Sequence, residues 1–203
     1  MSVAVFNYDP PERFVAGTVG QPGQRTFYLQ ARGGGRITSV ALEKEQVAIL
    51  AQRIEELLDH VVRETGGTTS VPAIAPADLE DNDPLDQPIL EEFRVGTLTL
   101  AWEPEAERLV IVARALVPGR EGSAEGEADE ERHAEEEDPD VDVLRVRITG
   151  AQGRAFAKRA LLVVAAGRPP CPFCSLPIDP EGHLCPRANG RPRSAWARPS
   201  EER

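Results

Sequence analysis

Apolar and polar residues alternate along this chain with two different periods, and the change from one to the other sets the expected elements. Residues 13–19 and 25–32 are rich in β-branched and aromatic side chains, with Gln21-Pro22-Gly23-Gln24 between them. Proline fixes the first central φ of a type II turn and glycine accepts the positive second one, so this spacing predicts a hairpin. Gly33-Gly34-Gly35 marks a second turn, and residues 36–42 read as a third strand. Over 43–63 the period lengthens: Val47, Leu50, Ile54, Leu57, Leu58 and Val61 recur at three- and four-residue steps, the stripe of an amphipathic helix. Glu43, Glu45, Glu55 and Glu56 fall largely outside the stripe, and Gly66-Gly67 follows as a stop signal.

Residues 68–92 hold Pro72, Pro76, Pro84 and Pro88 with several acids and no sustained period, which predicts an irregular loop. Strands are expected over 93–102 and 108–117, joined by a turn around Glu103-Pro104-Glu105-Ala106. Val95, Thr97 and Thr99 set against Leu98, Leu100 and Trp102 give the two-residue alternation of a half-buried strand. Residues 142–149 alternate likewise. Residues 150–166 form a second helix, with Phe156, Ala160, Val163 and Val164 toward the sheet and Arg154, Lys158 and Arg159 toward water. The order of elements predicts an α+β domain over residues 1–166: an antiparallel sheet of about six strands covered by two helices.

Charge changes this picture at one place. The net charge is −11, and twelve acidic residues against the single basic Arg132 lie between Glu121 and Asp142. An uncharged body thus carries a disordered acidic insertion over 118–141, which has too few apolar residues to offset chain entropy. From Arg154 onward nine Lys or Arg face four Asp or Glu. The longest apolar run, 160–167, is far too short to span a bilayer, and MSVAVFNYDPPERF has no signal-peptide features. The reading is a cytoplasmic protein without a membrane segment.

All three cysteines fall within fifteen residues, accompanied by a histidine, which suits a metal site in a reducing compartment better than a disulfide framework. Cys171 and Cys174 form one ligand pair. His183 and Cys185 form the other, after the turn Asp179-Pro180-Glu181-Gly182. Four sulfur and imidazole ligands fill a zinc tetrahedron, and a filled shell means a structural ion. Residues 167–190 are therefore expected to form a zinc knuckle. Ser175 stands where a tight knuckle usually has glycine. A redox dithiol at Cys171 and Cys174 fits less well: the pair follows a helix instead of opening one, and Pro177, Pro180 and Gly182 forbid a helix after it. Catalytic zinc with His183 unligated lacks a nearby general base.

Other candidates are weaker. Gly17, Gly20 and Gly23 suggest a phosphate-cradling loop, but no lysine-serine pair or helix follows them. His60 sits near a helix end, where a cation suits the dipole, and His133 lies in the acidic run. Asp9, Glu12 and Arg13 gather charge at a sheet edge. The basic tail over 191–203, read as disordered, continues from Arg187 with Arg191, Arg193 and Arg198 around Trp196. That is a pattern able to contact nucleic acid.

Three stretches, RFVAGTVGQPGQRTFYLQAR, EFRVGTLTLAW and AGRPPCPFCSLPIDPEGHLCPRANG, resemble an actinobacterial family of uncharacterised proteins with a domain of unknown function. The resemblance spans nearly the whole chain apart from the Pro-rich and acidic stretches. It implies no catalytic residues, and a role beside a ParA-type partition ATPase has been suggested in that lineage. The reading is a zinc-stabilised binding or adaptor protein whose partner is another protein. The alternatives are a nucleic-acid-associated regulator and a small-molecule enzyme with a sheet-edge cleft using Arg13.

Overall fold

A computed structural model describes residues 3–117 and 141–167, with residues 171, 173, 178 and 185 beyond them. Residues 118–140 of the expected acidic insertion, and the tail, lie outside the described residues. The chain order is β1 (Val5–Tyr8), β2 (Arg13–Val19), β3 (Thr26–Gly33), β4 (Arg36–Leu42), α1 (Lys44–Glu64), β5 (Glu91–Glu103), β6 (Arg108–Ala115), β7 (Val143–Thr149) and α2 (Gly150–Ala165), with a 3-10 turn at Ala77–Leu79.

The α+β class stands, but the sheet has seven strands and is mixed, in the order β1-β7-β6-β5-β4-β3-β2. Two parallel pairs correct the antiparallel expectation. β4 and β5 run parallel because α1 and the loop after it carry the chain back across the sheet, the long crossover that parallel neighbours require. β1, four residues just before Pro10-Pro11 and not anticipated, adds parallel to β7.

The two edge strands are consecutive in sequence, joined by residues 9–12. Five Cα steps reach at most about 18 Å, whereas seven strands laid flat would hold their edges about 29 Å apart. The sheet must therefore curl. Tyr8 of β1 and Thr38 of β4, with three strands between them in the order, meet through their hydroxyl groups at 2.8 Å. Both side chains lie on the helix-covered face, so that face is the concave one. Glu12 N–H donates to Arg32 O at 2.8 Å, carrying the β2–β3 ladder one bond beyond Arg13.

The concave face supplies Phe6, Leu29, Val40, Leu109, Ile111, Val146 and Ile148, all buried. α1 lays Val47, Leu50, Ala51, Ile54, Leu58 and Val61 against them; each large side chain so buried contributes about 2 kcal/mol of transfer free energy. At its start, Gln46 Oε1 accepts the Glu43 N–H at 2.9 Å. At its end, Gly66 and Gly67 take positive φ, 59° and 81°. α2 begins on Thr149, whose hydroxyl accepts the Gln152 N–H at 3.2 Å. It crosses α1 closely at Gly153, where a Cβ would stand 2.9 Å from Leu109 and 3.2 Å from Leu58.

α2 also corrects an expectation. Lys158 is exposed, but Arg154 has only 2% of its side chain accessible and Arg159 only 11%. Arg154 pairs with Glu55, with Asp59 at 2.6 Å, and with the Pro72 carbonyl at 3.2 Å. A helical wheel assigns such a cation to water; two acids one turn apart on α1 bring it inside. Burial by itself would lower the Arg154 pKa, and the hydrogen bonds it donates to Asp59 and Glu55 reverse this, leaving it raised.

Candidate functional site

The described part of the cysteine segment follows α2 directly. Cys171 is buried and Cys185 half-buried, and their Sγ atoms stand 3.7 Å apart. The Phe173 N–H donates to Cys171 Sγ at 3.4 Å, fixing that sulfur from the backbone. A disulfide holds its sulfurs at about 2.05 Å, so the two are not bonded to each other. Two sulfurs each about 2.3 Å from a zinc ion at tetrahedral angles would lie about 3.8 Å apart. The observed separation fits that edge. Cys174 and His183 lie outside the described residues. Among the described residues alone, no group of three or more metal-ligating side chains occurs.

A second cluster forms where the Pro-rich loop crosses β2 and β3. Arg13 grips Asp81 bidentately, Nε to Oδ2 at 2.6 Å and Nη2 to Oδ1 at 2.9 Å, and reaches the Asp83 carbonyl at 3.1 Å. Arg159 donates to the same Asp81 carboxylate at 2.7 Å, to Asp83 O at 2.7 Å, and to Ala16 O on the free edge of β2 at 2.8 Å. Arg32 holds Asp86 at 3.0 Å. Gln30 clasps the Asp86 backbone on both sides: Oε1 accepts its N–H at 2.7 Å and Nε2 donates to its carbonyl at 3.0 Å. Leu85 descends onto Gly17, where a Cβ would meet it at 2.6 Å. The loop expected to be irregular is indeed without long elements, but residues 81–86 are strapped to the convex face.

A cavity of about 140 Å³ lies beside this strap, lined by Arg13, Phe14, Asp81, Gln152, Phe156 and Arg159 among others. Phe14 and Phe156 stack there with centroids 4.7 Å apart. Its chemistry is poor in reactive groups. The Arg13 hydrogen bond holds the Asp81 carboxyl below its ordinary range, making it a weak base, while Asp81 in turn raises the Arg13 pKa. Desolvation lowers that of Arg159. Permanent cations engaged by carboxylates and carbonyls position a loop; they do not move protons.

The remaining candidates separate. Gly20 and Gly23 take positive φ in the hairpin turn, closed by Gln24 N–H to Gln21 O at 2.9 Å. Gly17 sits in β2 opposite Tyr28, so no phosphate loop forms. His60 is exposed on α1. Asp9 pairs with Arg147, and Glu12 accepts the Gly34 N–H at 3.0 Å. His133, Arg187, Arg191, Arg193, Trp196 and Arg198 lie outside the described residues. No helix among the described residues is long and apolar enough to cross a membrane.

These features define an α+β domain built on a curled mixed sheet, with two helices in its concavity and a cysteine segment after the last helix. The family model described as a protein of unknown function, DUF3090, matches residues 6–185, and the chain belongs to that family. The matched span runs from Phe6, the second residue of β1, through β7 and both helices to Cys185, and so holds all three cysteines. No curated protein and no solved structure matches the chain.

Proposed function

We propose that this chain is a zinc-stabilised binding or adaptor protein of actinobacterial cytoplasm that acts through another protein, without catalysis of its own. Cys171, Cys174, His183 and Cys185 hold one structural zinc ion. The observation that carries this reading is the 3.7 Å separation of the Cys171 and Cys185 sulfurs. A dithiol of Cys171 and Cys174 does not by itself account for Cys185, fourteen residues on, standing within sulfur hydrogen-bond distance of Cys171. A shared tetrahedral ion supplies the reason. Four protein ligands leave no coordination position for substrate or water, so the ion contributes folding energy to a Pro-rich segment that has little core of its own. The engaged state of Arg13, Asp81 and Arg159 supports binding over enzymatic action in the sheet-edge cleft.

Elemental analysis of the purified full chain is expected to find about one zinc per chain. Cys185→Ser is expected to reduce that content severalfold while the circular dichroism of the body persists. A folded, metal-free preparation from zinc-replete cells overturns the metal assignment. Affinity capture with wild type and Cys185→Ser tests the adaptor role. A single protein retained in near-stoichiometric amount by the wild type supports it; turnover of a bound metabolite overturns it.

A further inference from the structure

Cys171 and Cys185 differ in access as well as in sequence position. Cys171 is 1% exposed and held by the Phe173 N–H, while Cys185 is partly open to solvent. Their sulfurs need to close from 3.7 Å to about 2.05 Å to bond. A small oxidant meets the more exposed residue, Cys185, first, with the buried Cys171 beside it. That is the arrangement of an attacking and a resolving thiol.

We infer that Cys171 and Cys185 form an oxidisable pair, with a peroxide as the oxidant and Cys185 as the thiol oxidised first. The Cys185 thiolate attacks one peroxide oxygen, the O–O bond breaks, and hydroxide leaves, giving a sulfenic acid on Cys185. The Cys171 thiolate then attacks that sulfur, the S–O bond breaks, and a second hydroxide leaves. The two sulfurs have lost two electrons, the peroxide has gained them, and two protons from solvent complete two waters. Were the zinc ion bound, the disulfide would replace two of its metal–sulfur bonds. The release of the ion that follows rests on the zinc reading above; the pairing of the two sulfurs does not.

The test treats full-length, zinc-replete protein with hydrogen peroxide, blocks remaining thiols, and cleaves before aspartate. Cleavage at Asp179 puts Cys171 and Cys174 on one fragment and Cys185 on another. The inference expects the two fragments to become joined through Cys171 and Cys185 in tandem mass spectrometry. A chromogenic chelator should register loss of the bound ion in step, and a dithiol with added zinc should reverse both. A bridge between Cys171 and Cys174, a bridge from Cys174 to Cys185, or stepwise oxidation to sulfinic acid without a bridge overturns it. Zinc measured before treatment separates the two claims. A Cys171–Cys185 bridge in metal-free protein keeps the pair and removes the metal reading. Zinc without that bridge does the reverse.

Discussion

Leu29 and Gln30 are neighbours on β3, 0% and 1% exposed, and they are buried for opposite reasons. Leu29 points into the concavity among the core residues packed against α1 and α2. Its burial is non-directional and asks only for hydrocarbon of the right volume. Gln30 points to the convex face, where the cover has no regular secondary structure. It is a strap of acids and prolines, acceptable there because its polar groups find partners: Gln30 on the Asp86 backbone and Arg13 and Arg159 on Asp81 and Asp83. A sheet face can thus be closed by hydrogen bonds and ion pairs where apolar periodicity is missing. Such a cover is local and separable, whereas the hydrocarbon core is shared by the whole domain.

Truncation should expose that difference. Leu29→Ala is expected to cost about 3 kcal/mol of unfolding free energy, read as a lower denaturant midpoint with an unchanged slope. It should weaken hydrogen-exchange protection throughout β3, α1 and α2 together. A loss confined to one strand would mean the core is less shared than the packing implies. Gln30→Leu retains the bulk but leaves the Asp86 N–H, the Asp86 carbonyl and the Ser39 hydroxyl without this partner, at about 2 kcal/mol. Here exchange and proteolytic cleavage should rise at residues 81–88 well before they rise in the helices. Equal loosening of strap and helices would erase the distinction between the two faces.

The concave face was readable in the sequence because its signal is local. The stripe over 43–63 and the observed α1, Lys44–Glu64, agree to within a residue. Pro22-Gly23 placed the first hairpin correctly, and the alternation of Leu98, Leu100 and Trp102 gave the inward side of β5, opposite Ala113, Ile111 and Leu109. What failed was non-local. β1 is four residues long and gains its identity from β7, with Val5 opposite Val143 far along the chain. The parallel β4–β5 pair follows from where α1 returns the chain, which no window of residues reveals. Arg154 and Arg159 carried the charge that normally marks a solvated helix face, and their partners lie on other elements. Glu55 and Asp59, one turn apart beside the apolar stripe of α1, were a usable signal for Arg154. Nothing comparable marks Asp81 as the partner of Arg13 and Arg159. The zinc site expected from the sequence rests on four ligands of two types, three cysteines and a histidine, at suitable spacing; only Cys171 and Cys185 of the four fall among the described residues.

The smallest expected effect sharpens the comparison most, because acid should act on the convex strap and spare the hydrocarbon. Asp81 is held below its ordinary value of 3.8 chiefly by the Arg13 hydrogen bond, with Arg13 and Arg159 adding charge attraction. A depressed carboxyl contributes stability that is present in full above its unfolded pKa and is lost as pH falls through the folded one. The window therefore lies below pH 3.8. Asp81→Asn keeps the shape and removes the charge, and with Asp81 partly exposed the cost at neutral pH should be on the order of 1 kcal/mol. Unfolding of wild type and variant, followed from pH 7 to pH 2, should show a constant gap above about pH 5 that shrinks as the wild-type carboxyl is protonated. Leu29→Ala should run parallel to wild type over the same range, since no proton is linked to its burial. A gap for Asp81→Asn that persists undiminished to pH 2 would show that the strap is held by its backbone contacts to Gln30 and not by its charge.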